Sequence, residues 1–417
     1  MRMAAPYVRR LDFRKAIPYR RLMPLRPGTH GMTAMLAMLT ALGPLSTDLY
    51  LPSLPGMATA LGTDLAQVQL TLSVFLFGFA IGQIVYGPVA DRFGRKPVIL
   101  AGLGLYCLGS IVCTLAPTAE TLIAARLVQA LGAAGPIVLG RAIVRDIYEG
   151  PQAARELSRM GMLMGLVPAV APLVGGVIAP LFGWRANFVA LTGCGAALMA
   201  AVMLLLPETI RERRQERLSP ASVFGSFGIV IRHPQFQTYA GLGALTFAGL
   251  FTFISGSSFV LQQAYGLAPL EFALAFSVMC LGFIGGAVFT QAMVGRLGLA
   301  RTILTGGLCL AVGGGAMLGL MAAGVGSPLA VIVPMTLYAF GVGLVMPTSN
   351  AGAMMPFGDR AGAASSLQGV LQSCFAAATA AIMARFLDGR PVVMAAVICV
   401  AGFAAAALAA ARLRPNV

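Results

Sequence analysis

What this sequence has least of is charge. Asp, Glu, Lys and Arg make up 10% of its 417 residues while apolar residues make up 58%, against about 25% charged in an ordinary soluble protein. That excludes a water-soluble globule, because there is too little polar surface to clothe one. From Thr302 to Gly358 there is no Asp, Glu, Lys, Arg or His at all. The only lysines are Lys15 and Lys96, and neither follows a glycine. The phosphate-cradling Gly-x-x-x-x-Gly-Lys-Ser/Thr loop of an ATP-driven pump is therefore missing. Both histidines, His30 and His233, fall outside the apolar stretches, so an intramembrane bis-His haem site is excluded. The seven cysteines stand singly with no Cys-x-x-Cys and read as small apolar residues of a bundle. With no metal cluster and no nucleophile–base pair, the expectation is a protein without metal, cofactor or catalytic residues, drawing on an ion gradient for any work.

What is there is a succession of neutral runs. A helix crossing ~30 Å of hydrocarbon needs about 20 apolar residues. Cutting wherever Pro, Gly and charge cluster predicts twelve spans: 32–51, 67–88, 97–116, 120–142, 160–181, 186–206, 238–262, 271–294, 302–323, 328–348, 362–384 and 391–411. None alternates with a period of two, as the short strands of a membrane barrel would. The expected fold is all-α, twelve transmembrane helices in two pseudo-symmetric six-helix bundles.

The net charge of +15 would in a soluble domain suggest nucleic acid, but its distribution argues otherwise. Of 29 bases, 25 fall in the terminal and connecting segments on the side of the N-terminus. Three, Arg185, Arg385 and Arg390, fall on the other side, and Arg126 lies within a span. Basic residues accumulate in cytoplasmic connections, so both termini are expected in the cytoplasm. No nucleic-acid partner is expected. Residues 1–31 read as a basic cytoplasmic tail on anionic lipid, with Met32 as an alternative start. Residues 32–206 read as the first bundle, 207–237 as a cytoplasmic linker, 238–411 as the second bundle and 412–417 as a short tail.

A duplication is visible across that linker. Asp91-Arg92-Phe93-Gly94 through Ile99-Leu100-Ala101-Gly102 aligns with Gly295-Arg296-Leu297-Gly298 through Ile303-Leu304-Thr305-Gly306 at an offset of 204 residues. Internal repeats of this kind build many secondary transporters, with the substrate site near the midplane between them.

Two charges fall well inside spans, Asp48 and Arg126, each costing about 2.5–3.5 kcal/mol on insertion scales. At 1.5 Å per residue both lie roughly 5–10 Å below the outer surface, in one layer. Asp48 is the candidate proton carrier. Arg126, when close, would favour its ionised form.

Four motifs resemble the major facilitator superfamily, and within it the bicyclomycin/chloramphenicol-resistance branch of drug:proton antiporters. They are Thr47-Asp48-Leu49-Tyr50-Leu51-Pro52-Ser53-Leu54-Pro55; Gly87-Pro88-Val89-Ala90-Asp91-Arg92-Phe93-Gly94-Arg95-Lys96; Arg126-Leu127-Val128-Gln129-Ala130-Leu131-Gly132; and Gly165 through Ala171-Pro172-Leu173-Val174-Gly175-Gly176. Leu206-Pro207-Glu208-Thr209 also fits. The likeness covers nearly the whole chain after residue 32. It departs at Ala130 and Ala171, where relatives carry Gly.

The resemblance implies that Asp48 couples protons and that Asp91, Arg92, Arg95 and Asp146 gate the conformational change. In that scheme Arg95 pairs Asp146, and Asp91 latches near Ala361 in one state. Gly165, Pro172, Gly175 and Gly176 would form an antiporter motif. A mainly apolar cavity with a few polar anchors suggests Tyr50, Phe75, Gln83, Gln129, Phe253, Tyr338, Asn350 and Gln372 as substrate contacts. The 22 methionines suit a re-packable wall. The expected function is export of small neutral amphipathic drugs by a monomer in a bacterial inner membrane. A metabolite importer and a non-transporting sensor are the alternatives.

Overall fold

The computed structural model describes residues 29–148, 150–210, 220–357, 361–386 and 391–413. The basic tail before residue 29, the linker bases Arg211, Arg213, Arg214 and Arg217 and the end after residue 413 lie outside the described residues, as do Asp359 and Arg360. Thirteen helices of eight or more residues follow one another, with no strand among the described residues: α1 His30–Asp48, α2 Leu54–Leu61, α3 Leu65–Phe93, α4 Arg95–Leu115, α5 Ala119–Ile147, α6 Gly150–Phe182, α7 Arg185–Leu205, α8 Pro220–Ile231, α9 Pro234–Phe259, α10 Pro269–Ala322, α11 Leu329–Met354, α12 Ala361–Phe386 and α13 Pro391–Arg412.

The boundaries follow local chemistry. Thr29 opens α1, its hydroxyl accepting from the Met32 amide at 3.4 Å, and Asp64 opens α3 by accepting from the Gln67 amide at 2.8 Å; both satisfy amides left free in a first turn. After Asp48 the prolines of Leu-Pro-Ser-Leu-Pro remove donors. The chain makes a short 3₁₀ turn at Leu51–Ser53 before α2 continues the same crossing.

Helix α10 runs for 54 residues, roughly 80 Å at 1.5 Å per residue and far beyond one ~30 Å crossing. It is two spans joined at Gly298, whose φ of 75° and ψ of 165° are not helical. Gly94, between α3 and α4, has φ 105° and ψ 156°, a region open essentially to glycine alone. The sequence repeat carries Gly94 onto Gly298, so the duplicated loop bends the same way twice. Eleven helical stretches among the described residues are long and apolar enough to span a membrane, and α10 counted as two gives the twelve crossings.

Helix ends differ from the expected spans. Helix α5 runs to Ile147 and α6 starts at Gly150, so Arg141, Arg145, Asp146, Arg155, Glu156 and Arg159 are helical rather than in a loop. The expected linker contains α8, and α9 begins at Pro234. Hydropathy marks where a helix leaves hydrocarbon, and intrahelical bonding continues past that point. Val230 at the end of α8 joins Phe236, Ala353, Phe357, Ala364 and Leu367 in a separate apolar cluster against α9, α11 and α12.

Small residues let helices approach within each bundle. Gly109 of α4 faces the Gln129 backbone, and Gly313 of α10 faces Tyr338 of α11. Between bundles, α3 packs on α12 and α6 on α10, while large apolar side chains such as Leu115, Phe182, Leu281 and Val400 stay exposed where lipid would cover them.

Candidate functional site

Arg126 is completely buried. Its guanidinium carbon lies 4.7 Å from the Tyr50 ring, 4.2 Å from Phe75 and 5.9 Å from Phe188, within cation–π range of all three. Nη1 donates to the Ser46 carbonyl at 3.0 Å and to Gln129 Oε1. The network continues from Gln129 Nε2 to Ser110 Oγ at 2.8 Å, while the Ser46 and Tyr106 hydroxyls are 2.8 Å apart. The Tyr50 hydroxyl meets that of Thr71 at 3.0 Å. Nε and Nη2 of Arg126 find no partner among the described residues.

Asp48 is not part of that shell. It is 3% exposed, accepts a bond from Thr47 Oγ1 at 2.9 Å and lies within electrostatic reach of Cys280 on α10. The expected meeting of Asp48 with Arg126 does not occur in this structure. Helix geometry explains why. Ser46 and Tyr50 are four residues apart and share the face turned to Arg126, whereas Asp48 is two residues from each, about 200° around the axis. Depth along the chain put the two charges in one layer, but the face keeps them apart.

Next to Asp48, the seam with α6 is tight. A Cβ on Gly175 would fall on the Leu49 carbonyl, and one on Gly176 would lie 3.1 Å from the Pro269 carbonyl oxygen of α10. Gly165 faces open space, and Pro172 lies within α6. The described side-chain hydrogen bonds that cross between bundles lie toward the same end. Ser258 Oγ donates to Leu51 O at 2.6 Å, Gln262 Nε2 to Pro52 O at 3.1 Å, Gln69 Nε2 to Ser255 O at 3.3 Å and Ser277 Oγ to Ala169 O at 2.7 Å.

At the opposite end Arg95 stands between two acids, 2.6 Å from Asp91 Oδ1 and 3.0 Å from Asp146 Oδ2. Glu208 caps α4, accepting from the amides of Arg95 at 2.9 Å and Lys96 at 3.3 Å, where the helix dipole favours an anion. Thr209 Oγ1 donates to Asp146 at 3.2 Å. Arg92 turns away onto the Phe93 ring, 5.5 Å from its centre. The Ala361 side chain, the expected partner region for Asp91, lies outside the described residues.

The eight proposed substrate contacts separate into three groups. Tyr50, Phe75 and Gln129 build the Arg126 shell. Phe253, 1% exposed, stacks on Phe276 at 5.9 Å, and Tyr338 is buried against Gly249, Gly313 and Gly402. Those two are buried in the packing of the second bundle in this structure, Tyr338 in the room left by the glycines opposite it. Asn350 and Gln372 come together where α11 and α12 meet, and Gln83 of α3 faces Gly369 on α12. Asn350 Oδ1 accepts from Gln372 Nε2 at 3.2 Å and from Gln368 Nε2 at 2.6 Å.

Gln368 was not anticipated, although a glutamine four residues before Gln372 on a neutral helix is a readable signal. Glu156 was also missed. It is 4% exposed, accepts from Thr33 Oγ1 at 2.7 Å and pairs Arg159 at 2.7 Å, and it falls between the expected spans 120–142 and 160–181.

Residues 36–381 match the family model for the Major Facilitator Superfamily. The chain is 33% identical over 342 residues to an uncharacterized MFS-type transporter, YdgK, of Bacillus subtilis, spanning 81% of this chain and 84% of that protein. It is 32% identical over 331 residues to a chloramphenicol resistance protein of Pseudomonas aeruginosa, spanning 79% and 77%. The fold resembles a solved D-xylose-proton symporter with a TM-score of 0.75 at 13% identity, over 92% of this chain and 97% of that one.

Proposed function

Because the chain belongs to the major facilitator superfamily, and so is a multi-pass secondary transporter rather than an enzyme, we propose that it exports small neutral amphipathic antibiotics in exchange for protons. It would work by alternating access in a bacterial cytoplasmic membrane with both termini inside. The chloramphenicol resistance relative supports the substrate class. The carrying observation is Asp48, a carboxyl buried with only a hydroxyl donor beside it, next to the turn whose Leu51 and Pro52 carbonyls hold the second bundle.

Burying an ionised carboxylate away from water is costly unless a cation pairs it, and neutralising it removes most of that cost. A closed seam between α1, α6 and α10 therefore favours protonated Asp48, and hydration of the seam favours the ionised form. In the proposed cycle a proton enters from outside when the 49–53 turn parts from Ser258 and Gln262. Loaded Asp48 can then be buried, the outer end closes, and release of the proton inward leaves the protein ready for drug. Closure at the 49–53 turn by Ser258 and Gln262 supports reading this structure as the inward-facing state.

Proteoliposomes with an imposed pH gradient test the proposal. Wild type should accumulate chloramphenicol against its gradient, moving it opposite to protons, and Asp48→Asn should retain only downhill exchange. Undiminished uphill transport by Asp48→Asn would remove Asp48 from coupling, and drug moving with protons would reverse the assignment as an exporter.

A further inference from the structure

On the first bundle the polar groups cluster around a cation; on the second they do not. Helices α9 and α11 carry no Asp, Glu, Lys or Arg, and neither does α3 before Asp91 nor α12 before Arg385. Helix α12 packs on α3, α9 and α11, and four side-chain amides stand along these contacts. Asn350 Oδ1 accepts from both Gln368 Nε2 and Gln372 Nε2. Gln83 reaches across from the first bundle, its Oε1 2.6 Å from where a Cβ on Gly369 would stand. Gly243 of α9 leaves the room the amides occupy, since a Cβ there would be 3.0 Å from Gln372 Nε2, 3.2 Å from Gln368 Nε2 and 3.2 Å from Ser349 Oγ.

The bonding inventory is lopsided. Each amide offers two donor hydrogens and an acceptor oxygen. One hydrogen of each glutamine nitrogen goes to the Asn350 oxygen, and Gln372 Nε2 also reaches Met346 Sδ at 4.0 Å; Asn350 Nδ2 remains as a donor, and the Gln368 and Gln372 oxygens remain as acceptors, with no hydrogen-bond partner among the described residues. Asn350, Gln372 and Gln83 are only half-buried, and Gln83 approaches α12 from the other bundle, so these groups are partly accessible where the bundles come together. Several uncommitted donors and acceptors in an uncharged wall match a ligand with the same chemistry reversed.

We infer that Gln83, Asn350, Gln368 and Gln372 form the substrate anchor, and that it takes neutral amphiphiles bearing an amide or paired hydroxyls while disfavouring lipophilic cations. The inference rests on the transport reading above and deepens it. It also separates ligand from proton. Asp48 is buried at the end of α1 beside the 49–53 turn, whereas the amides stand on α3, α11 and α12, so drug and proton occupy different sites and communicate through the movement of the bundles rather than by competing for one carboxylate.

The test is a change of charge without a change of shape. Full-length protein is purified in detergent, and equilibrium binding of radiolabelled chloramphenicol, a neutral amide with two hydroxyls, is compared with that of tetraphenylphosphonium. Wild type should bind the first and prefer it. Asn350→Asp keeps the accepting oxygen and adds a negative charge. It should lose about tenfold in chloramphenicol affinity and gain about tenfold for tetraphenylphosphonium. Gln372→Met, close in volume, should weaken chloramphenicol binding without the gain for the cation, and both variants should elute as the monodisperse wild-type species. Wild-type binding of chloramphenicol left unchanged in both variants would overturn the anchor alone and leave the export reading standing. A wild type that binds no chloramphenicol would overturn both.

Discussion

A guanidinium enclosed by three aromatic rings, with two of its nitrogens lacking partners, is an expensive way to fill the space between α1, α3, α5 and α7. Its cation–π contacts contribute about 0.5–2 kcal/mol each, while each unmatched buried donor costs about 1–3 kcal/mol. The two are of similar size, so Arg126 is expected to add little to stability, in keeping with the transport role proposed for it. Arg126→Met is therefore expected to melt no lower than wild type in a detergent thermal-shift assay while losing at least about tenfold in pH-driven drug flux, the equivalent of ~1.4 kcal/mol in transition-state terms. A large fall in melting temperature would show the cation to be structural. That Asp48 and Arg126 are charges set within apolar spans was legible in the sequence, and both are buried in the structure; such charges are rare. Their separation was also within reach, from the spacing of Ser46, Asp48 and Tyr50. The amide group around Asn350 was only half legible, because which face of α12 meets α11 is decided by packing between elements far apart in sequence.

Individual helices show where a motif acts. Gly165 and Gly175 belong to one run on α6, yet one faces open space and the other the Leu49 carbonyl. Gly165→Ala should gain about 0.5–1 kcal/mol, as expected for removing a mid-helix glycine. Gly175→Ala should lose about 1–3 kcal/mol from overpacking and disturb the seam beside Asp48. Thermal denaturation in detergent gives both signs in one experiment, and equal responses would contradict the difference in surroundings. The number and order of the spans were legible, since hydrocarbon thickness imposes a minimum apolar length. Their ends were not. The polar turns that prolong α5 and α6 are held by intrahelical bonds and by tertiary partners, such as Thr33 for Glu156, that leave no trace in hydropathy.

Taken whole, the molecule bends twice in the same manner, at Gly94 and at Gly298, and both bends use backbone geometry closed to other residues. Gly94→Ala and Gly298→Ala should each cost about 1–3 kcal/mol, and by similar amounts if the two loops are equivalent. Differential scanning calorimetry of the pair compares them directly, and one neutral substitution would deny the equivalence. The repeat was legible because both copies kept the glycine. The closed end was not, because the bonds from Ser258 and Gln262 reach backbone carbonyls, which any sequence possesses. The Arg126 shell has a consequence for how the chain is made. Chains emerge from the ribosome N-terminus first, so the Ser46 carbonyl, Tyr50 and Phe75 are already synthesised when Arg126 follows, Gln129 comes three residues later, and of the three rings only Phe188 arrives after it. The most costly residue to deliver into the bilayer is thus born after most of its solvation shell, and early pairing of α5 with α1 and α3 would spare it a naked passage through lipid.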